Sequence, residues 1–327
     1  MNKVDWINII IFAAIILLLA PSCKKKEPAT ISIIATTKVT DITATTAASG
    51  GNITSDGGAS VTAHGVCWNT TEYPTIAESK TVDGTGTGQF VSNITDLATA
   101  TTYHVRAYAT NSVGTAYGED ITFTTNIEDV DGNSYSIIII GSQSWSVENL
   151  RVTHYNDGSQ IPNITDNSEW KFLATGAYCW FENDAASFKN TYGALYNWYV
   201  ANTEKLCPIG WHVPTDAEWN TLITYLGGES SAFIKLKESG TTHWSSPNTD
   251  ATNESGFTAL PGGKRASFAP NGGFPEFAGM GYSGFWWSST EDDTDNSLCM
   301  NVDNDYLIVY RWPNLKVDGL SIRCLKN

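Results

Sequence analysis

Residues 206–219 read LCPIGWHVPTDAEW and contain a well-marked helix start. Thr215 and Glu218 have the spacing of a capping box, in which each side chain accepts the other residue's backbone N–H. Asp216 adds negative charge to the first turn, where the helix dipole favours it. Gly227 is expected to end the helix, after an apolar stripe made of Trp219, Leu222, Ile223 and Leu226. Because capping accounts for Asp216 and Glu218, this pair is not expected to be catalytic.

The sequence upstream of this stretch changes character after Glu128, since ten of the twelve tryptophans lie beyond that point. A domain boundary is therefore placed between residues 126 and 127. A further helix is predicted from Tyr192 to Thr203, because its apolar residues recur at intervals of three and four and share one side: Leu195, Trp198 and Tyr199.

Short motifs recur in order through this second half. They are GSQSWSVENL (141–150), YGALYNW (192–198), LCPIGWHVPTDAEW (206–219), GFTALPGGKR (256–265), WSST (287–290) and RC (323–324). Together they resemble the FISUMP domain, the Fibrobacter succinogenes major paralogous domain, over nearly all of residues 129–327. The resemblance implies a secreted or surface lipoprotein, and it implies no established reaction.

The second half also resembles C-type lectin-like domains and the formylglycine-generating enzymes that share their fold. This resemblance implies an α+β domain over residues 127–327, with short helices against antiparallel sheets. It also implies a disulfide between Cys207 and Cys324. Four cysteines allow three pairings, and a second bridge between Cys179 and Cys299 would accompany the first. A zinc site is less expected, because no Cys-x-x-Cys or histidine cluster is present.

Enzymatic activity is not expected from these resemblances. Formylglycine-generating activity needs redox-active or copper-binding cysteines near a substrate groove, and no such pair falls on a matching motif. The calcium-dependent sugar motif of C-type lectins is also absent, because residues 246–248 read Ser-Pro-Asn and lack its first carboxylate or amide.

The candidate ligand-binding residues lie in the loops near the end of the chain. Trp286 and Trp287 are candidates for stacking on sugar faces, while neighbouring carboxylates would accept hydroxyl protons. Those carboxylates belong to Glu291, Asp303 and Asp305. The same acidic loops could hold Ca²⁺ through oxygen ligands, although no cofactor is required by the pattern. The alternative is that the tryptophans are core and the acids are solvated.

Residues 31–126 alternate Thr, Ala, Val and Ile with glycine-rich turns, which predicts short strands. The run from Leu97 to Gly114 resembles a fibronectin type III domain, an all-β immunoglobulin-like sandwich. Period-two alternation places Tyr103 and Val105 on the core face of a strand and Tyr108 on the other face. Cys67 has no partner cysteine here and is expected to be a buried thiol. We interpret this domain as a spacer.

The N-terminus has the pattern of a lipoprotein signal peptide over residues 1–22. Its apolar run, from Ile9 to Ala20, is shorter than the roughly 20 residues that span a bilayer. Small residues precede Cys23 as in a lipobox, so Cys23 is the expected lipidation site and residues 23–30 form a tether. The protein is accordingly expected to be exported and lipid-anchored to the bacterial outer membrane at the cell surface.

The net charge of −15 argues against nucleic acid as a partner, because an acidic surface repels phosphate. The expected partners are the membrane, through the lipid, and an extracellular glycan or protein. The sequence thus predicts a multidomain, non-enzymatic surface lipoprotein that presents a binding domain on a spacer. The alternative is a structural or adhesin subunit of a surface assembly, and an extracellular enzyme is the least expected function.

Overall fold

The computed structural model of the protein describes residues 27–267, 276–304 and 306–327. Most of its regular structure is β-sheet, with a few short helices. The predicted signal peptide and Cys23 lie outside the described residues. Within the part of the chain that is described, no helix has the length and apolar character needed to cross a membrane.

The N-terminal unit consists of two antiparallel sheets. Its strands are β1 (Ile33–Thr36), β2 (Ala47–Ser55), β3 (Ala63–Asn69), β4 (Ser79–Lys80), β5 (Gly88–Ile94), β6 (Thr102–Thr110), β7 (Thr115–Tyr117) and β8 (Ile121–Thr124). One sheet has the order β1-β2-β5, and the other has the order β4-β3-β6-β7 with β8 also paired to β6.

The core of this unit follows the alternation along β6. Val105 is fully buried and Tyr103 packs at the edge of the same cluster, as the alternation predicts. Cys67 is a buried thiol, and burial raises its pKa to about 11. Tyr108 was predicted on the outer face, yet it is buried, and its hydroxyl donates to the Thr81 carbonyl at 2.6 Å. The segment at Thr81 therefore covers part of that face.

The C-terminal unit combines β-strands with five α-helices in its described residues. The strands are β9 (Ile127–Glu128), β10 (Ser134–Tyr135), β11 (Ile137–Ile140), β12 (Gln143–Ser146), β13 (Tyr178–Cys179), β14 (Leu195–Tyr196), β15 (Trp211–His212), β16 (Gly262–Ala266), β17 (Glu276–Met280), β18 (Ser283–Glu291), β19 (Asn296–Asp303), β20 (Tyr310–Leu315) and β21 (Leu325–Lys326). The helices are α1 (Asn167–Trp170), α2 (Ala185–Tyr192), α3 (Trp198–Ala201), α4 (Asp216–Tyr225) and α5 (Glu229–Leu236).

Two larger sheets organise this unit. One has the order β11-β12-β21-β15, and the other has the order β17-β16-β18-β19-β20. In the five-stranded sheet, β18 and β19 are central neighbours and β20 is an edge strand. Successive side chains of a strand point to opposite faces, so β18 contributes to two different cores. Trp286 belongs to the core that contains Trp145 and Trp219, whereas Trp287 belongs to the core that contains Tyr196.

The helix predictions were right for α4 and wrong for residues 192–203. Both hydrogen bonds of the capping box between Thr215 and Glu218 are present. Upstream, α2 ends at Tyr192, and β14 intervenes before α3. Gly193 has a φ of 76°, and a Cβ there would lie 2.7 Å from the Leu150 carbonyl oxygen. The chain therefore leaves the helical path at Gly193 to pair β14 with β13.

Candidate functional site

The two tryptophans predicted to stack on a ligand are interior residues. Trp286 and Trp287 are both 0% exposed. The indole N–H of Trp286 donates to Asn149 Oδ1, and that of Trp287 donates to the Tyr196 carbonyl, each at 2.8 Å. The prediction of a stacking role is therefore wrong, because side chains cover both faces of the central strand that carries these residues.

The predicted acidic ligands do not form one site. Glu291 is paired with Lys316 Nζ, which also donates to the carbonyls of Asp293 and Thr294. Asp303 Oδ2 accepts a hydrogen bond from the Ser283 hydroxyl. Glu291 lies opposite Ser297, and Ser283 lies opposite Asp303, so the backbone positions of Glu291 and Asp303 are about 20 Å apart along the strand direction.

The remaining acidic candidate, Asp305, lies outside the described residues. Among the described ones, no group of three or more His, Cys, Asp or Glu side chains is arranged to hold a metal ion.

The cysteines confirm one predicted bridge and correct the other. Cys207 and Cys324 form a disulfide with a Cα–Cα distance of 5.9 Å, which ties the segment before β15 to the end of the chain. Cys179 and Cys299 are separate buried thiols, so the predicted second bridge is wrong. Cys179 packs in the cluster around Trp170, whereas Cys299 packs in a different core. Burial raises the pKa of each thiol to about 12.

Several residues of the recurring motifs hold the fold together from the inside. Asn149 Oδ1 accepts from Trp286 Nε1 and from Arg323 Nε, while its Nδ2 donates to the Tyr192 carbonyl and to Ser321 Oγ. The Arg323 guanidinium donates to three more carbonyls, those of Ser146, Phe257 and Thr258. These contacts join segments that are far apart in sequence.

Arg265, from another motif, is also held by contacts inside the protein. It is fully buried, and its guanidinium lies 4.3 Å from the ring of Trp170. Its N–H groups donate to the Ile164 and Thr165 carbonyls and to Asn167 Oδ1. Both guanidinium groups thus make most of their hydrogen bonds inside the protein, and of their nitrogens only Nε of Arg265 is buried without a partner among the described residues. These motif residues therefore support the fold.

A polar cleft of about 470 Å³ opens beside the start of α4. His212 stands in it, with Nε2 3.0 Å from both carboxylate oxygens of Glu218 and Nδ1 2.7 Å from Asn327 Oδ1. Burial opposes ionisation of Glu218, but hydrogen bonds from Thr215 and His212 outweigh it and lower the pKa of Glu218. We name this the His212 cleft. Sequence reasoning assigned Glu218 to the helix cap alone, because no periodicity relates it to His212.

Exposed aromatic rings follow the edge strand β20. The rings of Tyr310 and Trp312 stack with centroids 5.1 Å apart and planes inclined by 17°, and Tyr306 meets Tyr310 edge-on at 5.4 Å. Tyr306 is 56% exposed and Trp312 is 40% exposed. Arg311 points to the opposite face, where it pairs with Asp216 at 2.7 Å. We call Tyr306, Tyr310 and Trp312 the β20 aromatic edge.

The sequence did not reveal this edge, because a short aromatic run has the same pattern in an edge strand as in a central strand. A weak signal was available in Pro313, since proline within a sheet is confined mainly to edge strands and strand ends. The structure therefore presents aromatic surface two strands away from the predicted position.

Solved structures show only partial similarity to this chain. The sensor domain of the anti-sigma factor RsgI4 from Pseudobacteroides cellulosolvens is 20% identical, with 30% of this chain and 97% of that chain covered and a TM-score of 0.23. Domains A168-A170 from titin are 21% identical, with 30% of this chain and 33% of that chain covered and a TM-score of 0.22. No curated protein matches the chain.

The family model provides the broader match. Residues 138–326 match the Fibrobacter succinogenes major domain, Fib_succ_major, and this segment includes α1 to α5 and both larger sheets except the first residue of β11. The matched segment is more than half of the chain. The protein therefore belongs to the Fibrobacter succinogenes major domain family.

Proposed function

We propose that this protein is an exported lipoprotein, anchored through Cys23 to the outer membrane, that presents a non-enzymatic binding domain at the cell surface. Residues 31–126 would form a fibronectin type III-like spacer, and residues 127–327 would form the binding domain with a C-type lectin-like fold. The two packed antiparallel sheets of the first unit support the former assignment. The Cys207–Cys324 disulfide and the short helices of the second support the latter.

The observation that carries the proposal is the β20 aromatic edge. Large aromatic rings are usually buried, so a stacked pair beside a third exposed ring marks a binding surface. Aromatic faces stack on the apolar faces of sugars, and the Tyr hydroxyl and Trp indole N–H can form hydrogen bonds with sugar hydroxyl groups. A neutral glycan also suits a chain with a net charge of −15, because it brings no anionic group that the acidic protein surface would repel.

A non-enzymatic role agrees with the use of the motif residues. Internal hydrogen bonds engage the polar side chains of Asn149, Arg265 and Arg323. A catalytic acid, base or nucleophile needs a polar atom that can reach a substrate. The polar residues of the motif stretches are thus better explained as supports of the binding surface.

The test is a neutral-glycan array probed with the full chain, with and without Ca²⁺. Binding is expected in both conditions, and it should be lost in Trp312→Ala. The matched control is Phe172→Ala, which removes a ring that is 79% exposed elsewhere on the domain. A silent array, or binding that Trp312→Ala leaves unchanged, would contradict glycan binding at this edge.

The second candidate is an adhesin or structural subunit, in which the same edge packs against another protein. Leu307, which is 60% exposed, extends the apolar surface next to Tyr306. Crosslinking on intact cells would test this role. A silent glycan array together with a defined outer-membrane partner, lost in Trp312→Ala and kept in Phe172→Ala, would favour the subunit over the glycan-binding protein.

A further inference from the structure

We infer that the His212 cleft is a second binding site, which takes a small, neutral, hydroxylated ligand such as the pyranose ring at the end of a glycan. This site is formed by other elements than the β20 aromatic edge and does not depend on it. Its walls come from the end of α3, from β15, from the cap of α4, from β18 and from Asn327. Its volume of about 470 Å³ lies in the range of small-molecule sites.

The cleft combines an apolar floor with a polar rim. Ala201, Trp211 and Val213 form the floor, and each of them is nearly buried. Asn202, Glu204 and Ser289 contribute to the rim. This division is typical of sites for small ligands, where apolar groups supply contact area and a few polar groups fix the orientation.

The rim has hydrogen-bonding capacity that the protein does not use. Within the described part of the chain, the side chains of Asn202, Glu204 and Ser289 make no hydrogen bond. Asn327 Oδ1 lies 2.7 Å from His212 Nδ1, and the Nδ2 of Asn327 has no hydrogen-bond partner in the described part of the chain. A carboxylate and amide oxygens accept, amide N–H groups donate, and a serine hydroxyl does both. Sugar hydroxyl groups also donate and accept, so they can use all of these groups.

The cleft is held in shape before any ligand arrives. His212 is bonded at both ring nitrogens, by Glu218 and by Asn327. Glu218 is itself bonded by the backbone N–H and the hydroxyl of Thr215, each at 2.8 Å. The backbone N–H of Ser289 donates to the Pro214 carbonyl at 2.9 Å, which fixes β18 beside the cap of α4. Preorganised walls reduce the ordering cost of binding.

Charge decides against an anionic ligand. Glu204 is an exposed carboxylate on the rim, and the chain as a whole has a net charge of −15. A uronic acid would bring a like charge next to Glu204, whereas a neutral sugar of the same shape would not. The cleft should therefore distinguish glucose from glucuronate.

The experiment is saturation-transfer NMR on the full chain, with glucose, galactose, mannose, xylose and glucuronate as separate probes. At least one neutral sugar should receive saturation and glucuronate should not. The double variant Asn202→Ala/Ser289→Ala should raise the dissociation constant for the sugar about tenfold or more, because it removes two hydrogen-bonding groups. Glu204→Gln should bring glucuronate closer to glucose in affinity.

Two controls separate this site from the rest of the molecule. Glu182→Gln removes the exposed carboxylate of a residue whose backbone φ of 51° is close to the 56° of Glu204. This variant should change neither the affinity for glucose nor that for glucuronate. Trp312→Ala should leave the monosaccharide signal intact, even if it abolishes binding on the glycan array. No saturation of any neutral sugar, or saturation that survives Asn202→Ala/Ser289→Ala undiminished, would overturn the inference.

Discussion

Trp287 and Trp312 lie in the same cross-strand row of the five-stranded sheet, on opposite sides of Cys299, yet only Trp312 is accessible to solvent. Directly paired residues share one face of a sheet, so the two indoles point the same way. The difference in burial comes from their strands, because β18 is central and β20 is at the edge. Position in the sheet therefore separates a core tryptophan from a binding candidate.

Replacement of these two tryptophans should have opposite consequences. Trp287→Ala should lower the free energy of unfolding by about 3 to 5 kcal/mol, because it leaves a cavity where a fully buried indole stood. Trp312→Ala should cost about 1 kcal/mol, mainly the stacking on Tyr310, and should abolish binding to the glycan array. Urea unfolding measures the stability of the two variants, and the glycan array measures their binding. Equal destabilisation by the two variants would contradict the assigned roles.

Asn149→Ala should destabilise the protein by about 3 kcal/mol or more. The variant leaves the buried N–H groups of Trp286 and Arg323 without their shared acceptor, and each unsatisfied buried donor costs about 1 to 3 kcal/mol. Urea unfolding measures the loss. Asn202→Ala removes an exposed asparagine and is the stability control, expected within about 0.5 kcal/mol of the parent. A tolerated Asn149→Ala would show that the motif is not primarily scaffold.

The disulfide should contribute about 4 to 5 kcal/mol, because it closes a long loop between residues 117 positions apart and so restricts the unfolded chain. Cys207→Ser/Cys324→Ser should lose that stability in urea unfolding. Alkylation of the denatured, non-reduced chain should label the free thiols Cys67, Cys179 and Cys299. Labelling of Cys207, or a bridge that contains Cys179, would contradict the pairing.

Lys237 is an internal source of instability. The residue is 0% exposed, and its Nζ lies 4.4 Å from the ring of Phe233 and 4.3 Å from that of Trp244. Nζ has no hydrogen-bond partner among the described residues. Burial lowers the pKa of Lys237 from 10.5 to about 8, and the nearby Asp303 carboxylate opposes this only in part. Such a shift corresponds to roughly 3 kcal/mol of lost stability when the amine is charged in both states.

Lys237→Met should therefore stabilise the protein at pH 7 by about 3 kcal/mol, since methionine fills the same space without a charge. Below about pH 8, both the folded and the unfolded chain carry the proton, so the cost is complete. Between about pH 8 and 10.5, only the unfolded chain keeps the proton, and the parent gains stability. The advantage of Lys237→Met should shrink across that window. An advantage that does not change with pH would contradict the interpretation.

Local features of the sequence predicted local features of the structure. The cap and stripe of α4 were readable because all their determinants lie within one helix. The disulfide was predicted through resemblance to a fold and not through spacing alone. The helix predicted over residues 192–203 failed because Gly193 must take a positive φ and pass close to Leu150, and that neighbour is distant in sequence.

The amino-acid sequence by itself determined the family, the helix that begins after Thr215 and the acidic character of the chain. Each of these depends on composition or on residues close together along the chain. The tertiary structure alone decided which tryptophans are buried, which cysteines stay free and where His212, Glu218 and Asn327 meet. Those outcomes depend on strand order and on contacts between distant segments, and local residue patterns such as Pro313 at an edge strand indicate them only weakly.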